Sequence, residues 1–490
     1  MNSKLSFPLF LIAVVLIAHS AASDSTKPRE KRSPKPQIGR LFGFLAKWVA
    51  QAVKQSPTAI RLIRRVKAAS TAVSKNPETA AGTAAAAAAA GAAVGVGVVV
   101  ASQPGKKQCA VYIKRDLPEL QPVFIKDGTP RSLMMPRDGY LTWGHGETSS
   151  IACPPSAGSQ NYIRATNTIV ATITCDNGLM FEMSARRVNI STVTCARKVT
   201  GNYRPKPDPQ CAGTNKAIGF NVPFPTGDIF FDLFYSCFDE TRGSTLFTHH
   251  VLFGNEIDHK CIYGSSRPDF KSAGFPDNFF ISTAYTQLSQ KARLTDLFNV
   301  RMSNPVAQAE AQRYIFDHSY LQKGHLTPDG DELFTTWQWS TYFFINVAGM
   351  WESINIGNWK NLETKVRTLA NETKENLEIY TGTYETLALC STNNYCPDFT
   401  LVTGGIPVPK WLWKIVKAPS IDAAIALVVS NNPVGAVNPI CETGAVNYGW
   451  HQNGFDNFSS GKVSYCTVQE LQNVVGYIPQ AALATNVLAF

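Results

Sequence analysis

The sequence K-G-H-L-T-P-D-G-D at residues 323–331 is followed by N-I-G-N-W-K-N-L-E-T-K-V-R at residues 355–367. The asparagine that opens the second stretch lies 30 residues after His325. Pro328 predicts that His325 lies on a loop or at a strand end, because proline disfavours a helix just before it. The second stretch has no proline and reads as a helix.

Three polar residues of the second stretch are spaced so that a helix would align them. Asn355 is eight residues before Glu363, and Glu363 is four before Arg367. If the helix begins near Asn355, these offsets place all three on roughly one face. Each also has a structural interpretation, since an i, i+4 Glu–Arg pair is usually a surface salt bridge and an Asn near a Gly is usually part of a turn.

Together with His325, these residues offer what phosphodiester hydrolysis requires. A histidine can deprotonate water near neutral pH. Oxygen ligands such as the Asn355 amide can hold a hard cation. An arginine such as Arg367 can bind the phosphate and stabilise its developing charge.

Both stretches, with F-F-I-N-V at residues 343–347, resemble the DNA/RNA non-specific endonuclease family. The resemblance implies an α+β protein with a ββα-metal core in a mixed antiparallel sheet. The resemblance extends from about Cys109 to the C-terminus. Within the family, the chain is similar to a secreted arthropod branch whose members often degrade double-stranded RNA. The family implies cleavage without sequence preference, since phosphates rather than base edges are contacted.

The resemblance also implies residue roles. His325 would be the general base, and Asn355 the one direct protein ligand of Mg²⁺, with Mn²⁺ as the alternative metal. Glu363 would orient water around the metal, and Arg367 would contact the phosphate. A second catalytic arginine upstream of the histidine would correspond to Arg267, although Arg293 and Arg301 also lie upstream.

Two further residues are expected to contact the substrate, Lys323 and Asn346. Asn346 matches a family asparagine nine residues before the metal ligand. The family often has Asp-Arg before Gly-His, whereas this chain has Gln322-Lys323. Lys323 keeps the positive charge without the bidentate geometry of arginine.

The N-terminal quarter differs in composition from the rest. Residues 1–23 resemble a secretory signal peptide, with an apolar run and small residues at its end. Residues 24–108 form a basic, Ala/Gly-rich region, interpreted as a pro-segment or a linker, with amphipathic basic helices predicted at 38–53 and 58–69. A dibasic sequence at 29–32 allows processing before Ser33.

The chain carries a net charge of +10, but this charge is concentrated near the N-terminus. Residues 27–75 contain 13 Lys/Arg and one acid, which leaves residues 76–490 at −2. The basic composition therefore does not itself indicate nucleic-acid binding by the body. It does leave open contact of residues 33–105 with an anionic membrane.

All 11 cysteines lie between Cys109 and Cys466, which favours a disulfide-bonded, extracellular protein. We expect a small β-rich cysteine-containing domain at 109–210, with strands near 110–113, 169–173 and 188–193, and the nuclease domain at 211–490, with helices at 280–298 and 305–316. The odd cysteine count leaves one thiol free or intermolecular. Glycosylation sequons occur at Asn189, Asn371 and Asn457.

The sequence therefore predicts a secreted Mg²⁺-dependent endonuclease that binds DNA and RNA through their phosphate backbones. The alternative hypothesis is a catalytically weak protein that binds nucleic acid or anionic surfaces through its basic N-terminal region. The oligomeric state is not indicated.

Overall fold

The computed structural model describes residues 108–156, 159–262, 264, 266–435, 438–441 and 447–490. The predicted signal peptide, the two basic helices and the Ala/Gly-rich region up to residue 107 lie outside these residues. Within the described ranges, no helix is both long and apolar enough to cross a membrane. The described residues all fall within one compact unit.

The part before residue 202 is β-rich and is built on a six-stranded antiparallel sheet in the order β3-β2-β5-β6-β7-β8, beside a separate β1–β4 pair. Residues of β6 alternate between buried and more exposed positions, as expected of a strand with one face on a core. The elements are β1 (Gln108–Tyr112), α1 (Ile113–Asp116), β2 (Val123–Lys126), β3 (Ser132–Leu133), β4 (Tyr140–Gly144), β5 (Thr148–Ala152), β6 (Val170–Asn177), β7 (Met180–Met183) and β8 (Arg186–Asn189).

Strands predicted near residues 110–113 and 169–173 are confirmed as β1 and β6. The strand predicted at 188–193 is only partly right. The chain leaves the sheet after Asn189, because the Asn189 side chain accepts a hydrogen bond from the Ser191 N–H and caps a 3₁₀ turn at Ile190–Thr192.

A nine-stranded sheet forms the centre of the remaining chain, in the order β20-β19-β18-β15-β12-β11-β10-β9, with β21 pairing parallel to β19. All eight residues of β19 are buried, because both faces of the sheet are covered there. The strands are β9 (Asn202–Pro205), β10 (Thr214–Phe224), β11 (Gly227–Asp239), β12 (Ser244–Leu252), β15 (Leu377–Thr386), β18 (Pro409–Ala418), β19 (Ala423–Ser430), β20 (Val463–Cys466) and β21 (Asn486–Val487).

Two short hairpins accompany this sheet, β13 (Leu321–His325) with β14 (Val347–Trp351) and β16 (Thr400–Val402) with β17 (Gly405–Pro407). The helices of this part are α2 (Ile281–Ala284), α3 (Gln287–Asn299), α4 (Asn304–Gln312), α5 (Thr335–Trp339), α6 (Glu352–Ile354), α7 (Lys360–Thr373) and α8 (Val468–Val475). The helices predicted at 280–298 and 305–316 are confirmed as α2–α3 and α4. The first is divided because Thr286 caps α3, accepting a hydrogen bond from the Ser289 N–H.

The β13–β14 hairpin and α7 form a ββα unit packed on the large sheet. α7 buries Leu362, Val366, Leu369 and Ala370, the spacing of one helical face. In the hairpin, Gly324 lies opposite Ala348. A Cβ on Gly324 would lie 2.2 Å from the Met350 sulfur, so the residue before the histidine has no room for a side chain. This arrangement confirms the predicted α+β class with a ββα core.

Ten of the 11 cysteines form five disulfides, Cys109–Cys175, Cys153–Cys195, Cys211–Cys237, Cys390–Cys396 and Cys441–Cys466. Cys261 is the remaining thiol, and it is buried. Two of the disulfides lie within the β-rich part. Its core also takes in Phe220, Phe231 and Trp337 from later in the chain, so the two sheets share an apolar interior.

Candidate active site

A cleft of about 540 Å³ opens beside the β13–β14 hairpin. Its walls include Arg267, Lys323, His325 and Asn355. The structure thus brings together four residues that the sequence places in a site, although they span almost 90 positions. Phe270 and Tyr342 complete the wall around the histidine.

His325 is the last residue of β13, at a strand end as predicted. Its ring centroid lies 5.0 Å from that of Phe270 and 4.7 Å from that of Tyr342, which meets it edge-on. The Tyr342 hydroxyl donates to the Asp329 carboxylate over 2.7 Å and is thereby held in place. His325 Nε2 is buried and has no hydrogen-bond partner among the described residues.

Burial lowers the pKa of His325 to about 4, with Asp329 acting to raise it and Arg267 to lower it further. The imidazole is therefore neutral near pH 7 and can accept a proton. A neutral ring held by two aromatic neighbours, with no hydrogen bond to another described side chain, suits a general base.

Asn355 lines the same cleft, but it does not share a continuous helix with Glu363 as the spacing predicted. The backbone departs from helical geometry at Gly357, between α6 and α7. A Cβ on Gly357 would lie 3.0 Å from the Ser460 carbonyl oxygen, which shows how closely the chain packs there. The adjacent Asn358 side chain donates to the Gly454 and Gly461 carbonyls over 2.7 and 2.8 Å and holds this kink.

A divalent cation fits the donors in the cleft. The Asn355 side chain makes no hydrogen bond to any described residue, so its amide oxygen is available as a ligand. Nowhere in the described ranges do three or more His, Cys, Asp or Glu side chains cluster so as to hold a metal. A cation bound at Asn355 would therefore depend largely on water and on phosphate oxygens, which is the ligation that Mg²⁺ tolerates.

Asn346 does not reach the cleft as expected of a substrate contact. It is fully buried, and its amide nitrogen donates to the carbonyls of Thr327 and Thr341 over 2.9 and 2.8 Å. Its amide oxygen accepts from the Thr327 N–H at 2.8 Å. Since both amide protons are used, Asn346 holds the loop after His325 and is a positioning residue.

Glu363 and Arg367 lie on α7 in a partly buried charge cluster, and neither belongs to the cleft wall that carries His325 and Asn355. Arg367 donates to the Asp331 carboxylate over 2.8 Å and lies 3.9 Å from Glu363. Asp331 also accepts from His250 Nε2 over 3.0 Å. Burial alone would raise the pKa of Asp331, but His250 and Arg367 hold it below its usual range. Burial raises the pKa of Glu363 to about 7, although Lys414 and Arg367 oppose this.

Among the three upstream arginines, Arg267 lies on the cleft wall. Arg293 instead donates to Thr400 and Thr403, and Arg301 is exposed beyond α3. Lys323 Nζ lies 5.3 Å from the centre of the Phe270 ring, on the same wall. This placement favours Arg267 over the other two for the second arginine role.

Sequence reasoning missed His250, Asp331, Tyr342 and Lys414. Asp331 is only six residues after His325, and that proximity was a usable signal. His250 and Lys414 come from β12 and β18 and meet the cluster only through the large sheet. Tyr342 lies in a run of aromatic residues that does not distinguish it from core positions.

Comparison with known proteins agrees with this geometry. The model of a family described as DNA/RNA non-specific endonuclease matches residues 211–486. A salivary endonuclease of Lutzomyia longipalpis is 27% identical over 373 residues, covering 74% of this chain and 82% of that protein. A salivary endonuclease of Culex quinquefasciatus is 25% identical over 350 residues, covering 70% and 80%.

A solved structure of an EndoG/EndoGI complex shares 14% identity and covers 52% of this chain and 87% of its own, with a TM-score of 0.31, too low to support an argument. The family match, by contrast, spans more than half of the chain and includes the whole ββα unit and the cleft residues. The chain therefore belongs to the DNA/RNA non-specific endonuclease family, whose members are metal-dependent nucleases acting on nucleic acid.

Proposed function

We propose that this endonuclease hydrolyses DNA and RNA, double-stranded RNA included, without sequence preference, with His325 as general base and Mg²⁺ as the metal. The observation that carries the proposal is the shared cleft, in which the neutral His325 imidazole, the Asn355 amide and the Arg267 guanidinium lie together. Mn²⁺ is the alternative metal.

His325 takes a proton from the water that attacks phosphorus. The ring is already neutral because burial lowers its pKa, so no proton has to leave before catalysis. Phe270 and Tyr342 restrict the orientation of the ring. Asn346 acts one step further away, by fixing the loop that begins at Leu326.

Asn355 would hold the metal, which when bound supplies positive charge to the phosphate and the leaving oxygen. Arg267 and Lys323 bind phosphate oxygens from the cleft wall. Glu363 and Arg367 act from α7, where Glu363 orients water and Arg367 contacts the phosphate. Cleavage without sequence preference follows because these groups recognise the backbone rather than base edges.

We also propose that the protein is secreted and glycosylated. The five disulfides suit an oxidising compartment. The two relatives compared above are named salivary enzymes. The sequon residue Asn457 is exposed, while Asn189 and Asn371 are half-buried at the surface.

His325→Ala tests the proposal directly. Purified wild type should degrade duplex DNA and double-stranded RNA in Mg²⁺ and lose this activity in EDTA. The variant should lose about 100-fold or more in kcat, the usual contribution of a positioned base. His145→Ala, which removes an exposed histidine of the β-rich part, is the matched control and should retain wild-type activity. Cleavage by His325→Ala at the wild-type rate would refute the mechanism.

A further inference from the structure

The charges of the described chain are unevenly divided between its two parts. Residues 108–210 contain 12 Lys/Arg and 8 Asp/Glu, a net charge of +4. Residues 211–490 contain 18 Lys/Arg and 25 Asp/Glu, a net charge of −7. The part that carries the cleft is therefore acidic overall, although its substrate is a polyanion. Favourable long-range attraction has to come from elsewhere, and the β-rich part is the basic neighbour.

A segment of the β-rich part lies along the loop that carries Arg267. We call residues 195–201 the strap. Lys198 Nζ in the strap donates to the Ser266 carbonyl over 2.8 Å, one residue before Arg267. Lys271, at the other end of that loop, donates to the Gly201 carbonyl over 2.9 Å and also to the Thr200 carbonyl. The strap thus borders the wall of the cleft.

Three cations without carboxylate partners lie on or beside the strap. The Arg164 guanidinium donates to the carbonyls of Cys195 and Ala196 over 3.2 and 3.1 Å and is exposed. Arg197 is also exposed. Among the described residues, neither of these arginines nor Lys198 forms an ion pair.

Some other cations of the β-rich part are neutralised, while others, such as Arg137 and Arg186, are unpaired but make no contact with the strap among the described residues. Arg131 pairs with Asp127, and Arg187 with Asp176. This difference is relevant because a neighbouring carboxylate weakens the electrostatic attraction between a paired cation and a phosphate. Lys198 contacts Ser266 directly and Arg164 contacts the strap, whereas Arg131 and Arg187 make no contact with the strap or the Arg267 loop among the described residues.

We propose that Arg164, Arg197 and Lys198 form a track that binds the phosphate backbone of the substrate beyond the cleft. The proposal rests on the proposed function. Ala196 and Lys198 are at most about 7 Å apart along the chain, so the track extends the bound length by about two nucleotides at about 3.4 Å of rise each. Tyr162, which is 38% exposed and accepts a backbone hydrogen bond from Ala196, adds an aromatic face at the far end.

The test compares a long and a small substrate. We expect Arg164→Glu/Arg197→Glu to reduce kcat/KM on a duplex of about 40 base pairs by about tenfold relative to kcat/KM on bis(p-nitrophenyl) phosphate. The slope of log KM against log salt should also fall by about 2, because two phosphate contacts are lost. Arg197→Glu alone should give about half that change in slope, and the exposed Arg197 side chain makes no hydrogen bond or ion pair among the described residues that folding would need.

Arg137→Glu/Arg186→Glu is the matched control. Both arginines are exposed, lie in the β-rich part and have no ion pair among the described residues, so the net charge changes equally. An equal loss of duplex cleavage in both double variants would show a general charge effect and overturn the track. So would an unchanged ratio in Arg164→Glu/Arg197→Glu.

A different result would refute the proposed function. If the wild type hydrolysed neither substrate, the proposed catalytic mechanism would be wrong. The track would then be judged from duplex binding alone, measured by fluorescence anisotropy. Weaker binding by Arg164→Glu/Arg197→Glu than by the control pair would support the track, and equal binding would overturn it.

Discussion

The Arg367 guanidinium donates to the Asp331 carboxylate over 2.8 Å, and the side chain of Asp331 is only 3% exposed. This pair joins α7 to the turn that follows His325. Because His250 donates to the same carboxylate, Asp331 is the centre of a buried cluster that fixes where Arg367 can point. The arginine role implied by the sequence motif thus depends on a carboxylate to which the resemblance assigned no role.

We expect Asp331→Asn to lower the free energy of unfolding by up to about 3–5 kcal/mol, because it removes the charged partner of the partly buried Arg367 guanidinium and of the buried His250 ring. It should also lower kcat by about 100-fold, since Arg367 loses its orientation. Chemical denaturation and single-turnover cleavage of duplex DNA measure the two effects. Asp317→Asn, at an exposed carboxylate, is the control and should change neither. Full kcat in Asp331→Asn at a temperature where it is folded would contradict the positioning role.

The pH dependence of cleavage should report the burial of His325. The neutral ring is the active form, so activity is lost when the ring is protonated as pH falls. Glu363, whose pKa burial raises to about 7, titrates in the same range, so the measurement uses Glu363→Gln. Because burial lowers the pKa of His325 to about 4, kcat/KM of this variant should still be near its maximum at pH 6 and decline towards pH 4. Initial rates at constant ionic strength measure this, with near-UV circular dichroism showing that the fold persists. An acid limb centred at or above the ordinary histidine value would contradict the prediction.

The sequence motifs named four residues that meet in the cleft, but they did not predict how the chain places the other site residues. His325 at a strand end follows from Pro328 and local spacing, and the ββα unit follows from the family pattern. The alignment of Asn355 with Glu363 was wrong because Gly357 packs against Ser460, about 100 residues away in the chain. Helical spacing contains no information about such a contact.

Asn346 is a second residue whose environment could not be predicted from its spacing in the sequence. Its distance from Asn355 matched the family pattern, yet the residue is fully buried under the His325 loop. Which side of a loop an asparagine faces is decided by the packing of the β13–β14 hairpin on the large sheet, to which β12 belongs. Likewise, Arg267 could not be chosen over Arg293 until the fold placed one on the cleft and tied the other to Thr400.

Stability should fall as pH rises through the range in which Glu332 ionises. Burial raises the pKa of Glu332 to about 8, with a smaller contribution from Asp331. Because the pKa of Glu332 is higher in the folded state, the neutral carboxyl contributes stability that is fully present below about pH 4.5. This contribution is lost as the pH rises to about 8. Between pH 7 and 8, the unfolding free energy should decline by up to about 1.4 kcal/mol.

Glu332→Gln removes this dependence, because the amide stays neutral at every pH. Urea denaturation at pH 7 and at pH 8 should give a smaller difference for the variant than for the wild type. Glu378→Gln, on the half-buried β15 position, serves as the control and should keep the wild-type difference. An identical pH slope in Glu332→Gln and wild type would show that another group is responsible.

The kink before α7 should set the affinity of the metal site. Asn358 holds the kink through hydrogen bonds to the Gly454 and Gly461 carbonyls, and Asn355 lies three residues earlier on the cleft wall. Asn358→Ala should therefore shift Asn355 and raise the Mg²⁺ concentration for half-maximal activity by about 10- to 100-fold, the usual cost of losing an outer-shell partner.

Asn361→Ala provides the matched comparison, because Asn361 lies on the same helix but is exposed. Its half-maximal Mg²⁺ concentration should equal that of the wild type. Activity should be titrated with Mg²⁺ at saturating duplex, and thermal melting without metal should be recorded for both variants. Loss of stability alone would lower activity at every Mg²⁺ concentration. If Asn355 is displaced instead, a higher Mg²⁺ concentration restores the activity. Recovery of the activity of Asn358→Ala at high Mg²⁺ therefore distinguishes a displaced Asn355 from a general structural defect.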